Sequence, residues 1–315
     1  MKEKIRIGIS ACLMGEKVRY DGGHKHDRYI TDTLGKFFHF VPVCPEVECG
    51  LPVPREAMHL EGDPCSPRLV TIRSGSDLTE KMQLYCSTKV EELEKEPLSG
   101  FIFKARSPSS GLFRVKVYGK GMPSKSGRGL FAASVTDRFP RLPVEEEGRL
   151  GDPGLRENFL ERVFTFHRWQ EFRNSAPSLG EIVSFHTSHK LMVMAHSVEI
   201  YREMGRLVAT VGKGDHEKFL ERYEELLMKA MAMHATARKN VNVLQHIMGY
   251  FKKDLSRWEK QELLETIERY RLGLIPLLVP LTLLKHYILK YGQEWLKGQV
   301  YLDPHPAELM LRSSP

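Results

Sequence analysis

The stretch Ile5-Arg6-Ile7-Gly8-Ile9-Ser10-Ala11-Cys12 decides the fold. Its first five residues are mostly apolar and β-branched and run into a short polar turn, which predicts a strand that stops just before a cysteine. Phe37–Val43 repeats the arrangement, followed by Cys44 and closed by Pro45. Leu69–Arg73 reads as a third strand, and Ser99–Phe103 as a fourth that leads into Lys104. Helical segments are expected at Thr79–Glu94 and Leu130–Thr136, and the proline-rich segment from Pro52 to Pro67 reads as loop. Strands alternating with helices predict an α/β domain built on an open, mostly parallel sheet. Ligands of such sheets bind in the crevice at the carboxyl ends of the strands. Cys12, Cys44 and the turn Ser107-Pro108-Ser109-Ser110-Gly111 each follow a strand, so these loops are candidates to converge.

Past residue 150 the pattern changes. Pro143 to Leu150 is a charged, turn-prone stretch, and Asp152-Pro153 opens a helix through Arg156–Trp169. Further helices are expected at Leu179–Met204, Asp215–Met233, Ala237–Lys253, Ser256–Leu272 and Pro280–Tyr291, with Ser256 and Glu259 at capping-box spacing. The expected organisation is an α/β domain over residues 1–150 followed by an all-α helical domain over residues 151–315.

With 41% hydrophobic and 28% charged residues in 315, the chain has the composition of a globular protein, long enough for two domains. The longest apolar run, Leu272 to Leu284, is broken by Gly273, Pro276 and Pro280, so no membrane span is expected. The expected location is cytoplasmic. A net charge of +7 is compatible with a polyanion partner but is spread over both halves. The five cysteines are odd in number and lie in the first third, which fits free thiols or metal ligands better than a disulfide framework.

Several residues carry chemistry by type and place. Cys12 is followed by Val18-Arg19-Tyr20-Asp21-Gly22-Gly23-His24, a turn whose Arg19, His24 and Lys25 suit a polar or anionic ligand. Cys44-Pro45-Glu46 sets a carboxylate near a potential metal-bound thiolate, where it can serve as a general base or simply cap the local turn. The hydroxyls of Ser107, Ser109 and Ser110, flanked by Lys104 and Arg106, suit a polar substrate. Cys49 and Cys65 have no partner at metal-site spacing. In the helical half, His186, His189 and His196 share a stripe. The readings open to it are structural hydrogen bonding, metal binding, or an RNA-facing surface with Lys190, Arg238, Lys239, Asn240, Gln245 and Tyr250 nearby.

Residues 5–150 resemble the thiouracil desulfidase family. The resemblance rests on Gly8-Ile9-Ser10-Ala11-Cys12-Leu13, Val18-Arg19-Tyr20-Asp21-Gly22-Gly23, Val43-Cys44-Pro45-Glu46, Pro54-Arg55-Glu56 and Ser107-Pro108-Ser109. The second half resembles a helical domain formerly of unknown function, through Phe185–Lys190, Asn242–His246 and Pro280–Tyr287. The pairing is similar to RudS-type desulfidases, which remove sulfur from 4-thiouridine in tRNA. This resemblance implies a 4Fe–4S cluster held by three cysteines with one iron open to the substrate sulfur. Cys12 and Cys44 match two ligands, and Ser110 stands where the third cysteine belongs. Glu46 and Ser107 match the catalytic positions; Arg19, Asp21, Lys104 and Ser109 are the expected substrate-binding residues. The implied function is non-redox removal of sulfur from thiolated uracil, either in tRNA or as a free derivative. Three outcomes follow from the hydroxyl at Ser110: weak ligation, a substitute ligand in Cys49 or Cys65, or a cluster-less RNA-binding protein.

Overall fold

In the computed structural model, residues 4–119 and 121–313 are described, and the chain divides into two compact units, Met1–Asp152 and Pro153–Pro315. The first unit carries eight strands: β1 (Ile5–Ser10), β2 (Phe38–Val43), β3 (Met58–Asp63), β4 (Ser66–Thr71), β5 (Leu98–Phe103), β6 (Val115–Tyr118), β7 (Ser124–Gly127) and β8 (Val144–Glu146). Its helices are α1 (Pro45–Glu48), α2 (Thr79–Glu94) and α3 (Leu130–Arg138). One sheet is parallel in the order β2-β1-β5-β8, and a second runs β4-β3-β6-β7.

Register positions the loops. Ser10 pairs with Val43 across β1 and β2, and Ile9 pairs with Ile102 across β1 and β5. Three adjacent strands therefore end at one level. β1 has β2 on one side and β5 on the other, so the order in which successive strands are added reverses there, which is where an open parallel sheet leaves its crevice. The Ser10 hydroxyl, accepting from Lys104 N–H at 2.9 Å, ties the ends of β1 and β5 together. Gly8 admits this packing, because a Cβ there would come within 2.2 Å of the Phe101 ring. Phe101 stacks on Phe103 at 4.2 Å, and both meet Phe131 of α3 edge-on.

Two segments differ from the sequence expectation. Pro52 to Pro67 is only partly loop, since it contains all of β3 and the start of β4. Met58 pairs with Thr71 and Asp63 with Ser66, closing a hairpin at Pro64-Cys65. Pro67 is accommodated because β4 is an edge strand, with no second neighbour needing its missing N–H. The charged stretch Pro143–Leu150, read as a boundary, supplies β8, the fourth strand of the parallel sheet.

The second unit is helical: α4 (Pro153–Asn174), α5 (Leu179–His196), α6 (Val198–Val208), α7 (His216–Met231), α8 (Ala237–Met248), α9 (Arg257–Arg271), α10 (Leu278–Lys290) and α11 (Glu294–Lys297). The single helix expected over Leu179–Met204 is two, broken at Ser197, whose extended backbone and side-chain bond to Ile200 N–H begin α6. Ser256 and Glu259 form the expected capping box of α9. No helix among the described residues is long and apolar enough to cross a membrane.

The core of this unit stacks Trp169 on Tyr223 and Phe172 on Phe185, with Trp169 Nε1 donating to Glu224 at 2.8 Å. The histidine stripe belongs to that core. His186 meets the Tyr223 hydroxyl, His189 the Phe185 carbonyl and His196 the Met233 carbonyl. Burial pushes His186 down to about 4 and His189 to about 3, so both rings are neutral. Among the described residues no cluster of His, Cys, Asp or Glu is arranged to hold a metal ion. The three rings are buried and hydrogen-bonded within the core, not on an RNA-facing surface.

Buried charge also holds this unit. Arg312 donates to Glu161 at 2.6 Å and to the Tyr301 carbonyl at 2.6 Å, while His196 lies 3.2 Å from the other Glu161 oxygen. Burial alone would raise the Glu161 carboxyl, but Arg312 and His196 beside it hold it well below the usual range. Removing one partner of a buried pair costs about 3–5 kcal/mol. Arg312→Leu is therefore expected to lower the urea midpoint of the helical unit, and the double change with Glu161→Leu to recover part of the loss. All three tryptophans lie in this unit, so their fluorescence reports the transition. An unchanged midpoint in Arg312→Leu would contradict the assignment.

Candidate active site

The three strand-end loops close around a cavity of about 370 Å³. Cys12, Cys44 and Ser110 line it with Ser10, Glu46 and Ser107, and Arg19, Tyr20, Lys25, Arg55, Lys104 and Arg106 also border it. Cys12 sits in a 3-10 turn (Ala11–Met14) after β1, and its carbonyl accepts from Lys25 N–H at 2.9 Å. Cys44 is the residue before α1, where Pro45 suits the first helical position. Its N–H donates to Glu48 at 2.7 Å, so the short helix fixes the thiol.

The third loop is held by three sets of contacts. Glu147 takes both the Lys104 ammonium and the Ala105 N–H. Buried Glu146 accepts from Leu112 N–H at 2.8 Å and from Phe113 N–H at 3.0 Å. Between these grips, N–H groups at the start of α3 donate to the carbonyls of Pro108 and Ser109, satisfying donors that a helix leaves open. Gly129 permits that approach, because a Cβ there would lie 2.4 Å from the Ser109 carbonyl carbon.

Glu46 is the hub of the side-chain network. Its carboxylate accepts from Ser109 Oγ at 2.5 Å and from Ser107 Oγ at 3.4 Å, and the Cys44 thiol donates to it at 3.5 Å. Arg55 lies 3.8 Å away with its side chain buried. Ser107 Oγ in turn accepts from the backbone of Ser109 and Ser110. Burial pushes the Cys12 thiol up to about 11, and burial followed by the Glu46 carboxylate pushes Cys44 up to about 12. Both are therefore protonated at neutral pH unless a cation draws the thiolate.

The other expected site residues fall in different places. Arg19 borders the cavity, and Lys104 borders it while paired to Glu147. Ser109 is fully buried behind Glu46 and does not line the cavity; its hydroxyl holds the carboxylate. Asp21 is off the cavity as well, accepting from Gly23 N–H at 3.0 Å and lying 3.5 Å from Arg19. Cys49 donates to the Glu46 carbonyl and borders a separate surface depression with Lys81 and Tyr85. Cys65 is exposed at the β3–β4 turn. Neither lines the cavity. The sequence reading passed over Arg55, Glu146 and Glu147; the motif Pro54-Arg55-Glu56 marked the first, while the glutamates were hidden in an acidic run.

The buried thiols give a direct chemical test. Iodoacetamide at pH 7.5 is expected to modify Cys65 first and Cys12 and Cys44 slowly, as peptide mass spectrometry would show. Raised thiol values mean that the Cys12 and Cys44 rates should keep climbing with pH to about 11 and 12, while the fold persists. Labelling of these two as fast as Cys65 at pH 7.5 would contradict the burial.

The family model "2-thiouracil desulfurase" matches residues 7–147, and that of a protein of unknown function, DUF1722, matches residues 190–306. The uncharacterized protein YbgA of Escherichia coli (strain K12) is 32% identical over 159 residues, covering 50% of this chain and 94% of YbgA. A solved structure of TudS, a [4Fe-4S]-dependent thiouracil desulfidase, is 28% identical with a TM-score of 0.38, covering 48% of this chain and 94% of that one. The chain thus carries a 2-thiouracil desulfurase domain in its N-terminal half and a DUF1722 region in its helical half.

Proposed function

We propose that this chain removes sulfur from thiolated uracil by hydrolysis, with 4-thiouridine in tRNA as its fullest substrate. The observation that carries the reading is the convergence of Cys12, Cys44, Glu46, Ser107 and Ser110 on one cavity. The net change is C=S plus water to C=O plus hydrogen sulfide, which needs no electron donor.

The donor chemistry suits a 4Fe–4S cluster held by Cys12, Cys44 and the Ser110 hydroxyl. Two soft thiolates match the metal, and the hard hydroxyl makes the third bond the weak one. When bound, such a cluster supplies a Lewis acid for the thiocarbonyl sulfur. The protein's own groups do the rest. Glu46, anchored by Ser109, takes a proton from a water in the cavity, whose oxygen adds to the ring carbon as the carbon–sulfur bond breaks. Ser107, within reach of Glu46, passes a proton on, and the sulfur leaves as hydrosulfide or hydrogen sulfide. Arg19 and Lys104, which border the cavity, take the polar edges of the substrate, while Asp21 supports Arg19 and Ser109 holds Glu46. The helical unit takes the role of holding tRNA.

A second reading, a cluster-less RNA-binding protein, is favoured by Ser110 alone. Among the described residues neither Cys49 nor Cys65 borders the cavity, which speaks against a substitute ligand and leaves the Ser110 hydroxyl as third donor or no cluster at all. After anaerobic reconstitution, Glu46→Gln should lower sulfide release from 2-thiouracil or 4-thiouridine by about 10²–10⁴-fold with iron content unchanged. Loss below tenfold would remove Glu46 from the chemistry. Ser110→Cys should slow iron loss to a chelator, and Cys12→Ala or Cys44→Ala should abolish iron binding. Absence of iron from the unaltered chain, with full loading of Ser110→Cys, would establish the second reading.

A further inference from the structure

The histidine stripe and its neighbours separate in the structure into buried and exposed parts. Asn240 is buried, bonding to Tyr270 and Tyr301, and the Lys239 ammonium is taken by the carbonyls of His196 and His234. What remains outside is a small aromatic platform. Tyr250, in the 3-10 turn after α8, stacks on Trp295 of α11 with ring centroids 4.7 Å apart and planes 21° apart. The Lys190 ammonium lies over the same Trp295 ring, 4.5 Å from its centroid. His246 approaches Tyr250 edge-on at 5.7 Å. Burial and then the Lys190 charge hold His246 below its usual value, so its ring is neutral.

The platform is open to solvent: Tyr250 is 40% exposed, and Gln245 and His246 are exposed beside it. Lys190 and the exposed Lys252 and Lys253, which follow Tyr250 closely in the chain, form no ion pair among the described residues. An exposed tyrosine stacked on a half-buried tryptophan, beside ammonium groups with no ion pair, is the combination that single-stranded nucleic acid uses, with bases on the open ring and phosphates on the cations. A polar protein partner would not need the aromatic stack, and a purely ionic one would gain nothing from it.

We propose that Tyr250, Trp295, His246 and Lys190 form a base-stacking site for an unpaired stretch of RNA, with one base against Tyr250 and the backbone near Lys190 and Lys252. This deepens the reading of tRNA as substrate carrier and rests on it for biological meaning, but binding here requires neither iron nor the cavity.

The test is fluorescence anisotropy with the full chain prepared without iron, using labelled oligouridylate, unmodified tRNA, and an abasic oligomer of the same length. Tyr250→Ala should weaken oligouridylate binding by about tenfold or more, the loss of one stacked base, and Tyr250→Phe should restore it. Lys190→Ala should lower the slope of log affinity against log salt by about 0.7. The abasic oligomer should bind more weakly than oligouridylate and be indifferent to Tyr250→Ala. Turnover of free 2-thiouracil should be the same in Tyr250→Ala and the unaltered chain, which separates this site from the catalytic reading. Equal binding of oligouridylate by Tyr250→Ala and the unaltered protein would overturn the proposal, as would equal affinity for abasic and base-bearing oligomers.

Discussion

Glu146 and Glu147 leave β8 with a carboxylate at each end of the loop from Lys104 to Phe113, and the site depends on that double grip. A loop of this kind has no ladder to join, so its N–H groups must find other acceptors when buried. The two glutamates supply them at the ends, and the start of α3 receives the carbonyls in the middle. Ser107 and Ser109 are thereby fixed against Glu46, which comes from a different strand end, and Ser110 is tied to both serines. The parallel register of β2, β1 and β5 then needs only to bring the three ends level.

The chemistry follows from what that grip places together. Neutral thiols, a carboxylate ringed by hydroxyls and a buried guanidinium share a cavity of a size suited to a nucleobase. Burial keeps Cys12 and Cys44 protonated without a metal, so cluster assembly on these residues would release protons. A serine in the third position alters that balance. Its hydroxyl ionises far less readily than a thiol, and the Ser110 Oγ already stands 3.4 Å from Ser109 Oγ, within the network that positions Glu46. On the proposed reading, the third ligand and the support of the general base would share one hydroxyl chain.

The sequence carried the parallel strands well, because apolar β-branched runs ending in turn residues leave few alternatives. It also announced the capped helices, since Ser256 and Glu259 sit at capping spacing. It was less clear where tertiary context overrides local pattern. Pro67 disguised one edge strand as loop, and Glu145 and Glu146 disguised another, the edge strand β8 of the parallel sheet, as linker, because paired acidic side chains look like solvated ones in a sequence. Of the site, Cys12, Cys44, Glu46 and Ser107 were legible from their places after strands and from family resemblance. The inward turn of Ser109 was not, nor was the displacement of Asp21, since side-chain direction within a turn depends on contacts distant in sequence.

The central claim is that a water held at Glu46 replaces the substrate sulfur without any redox change. Running the reconstituted enzyme on a thiolated uracil in oxygen-18 water and weighing the uracil product tests it most directly. The expected result is one oxygen-18 atom per product, one sulfide released for each, and no requirement for an added reductant. Product that lacks the label, or sulfide that appears only when an electron donor is supplied, would contradict it.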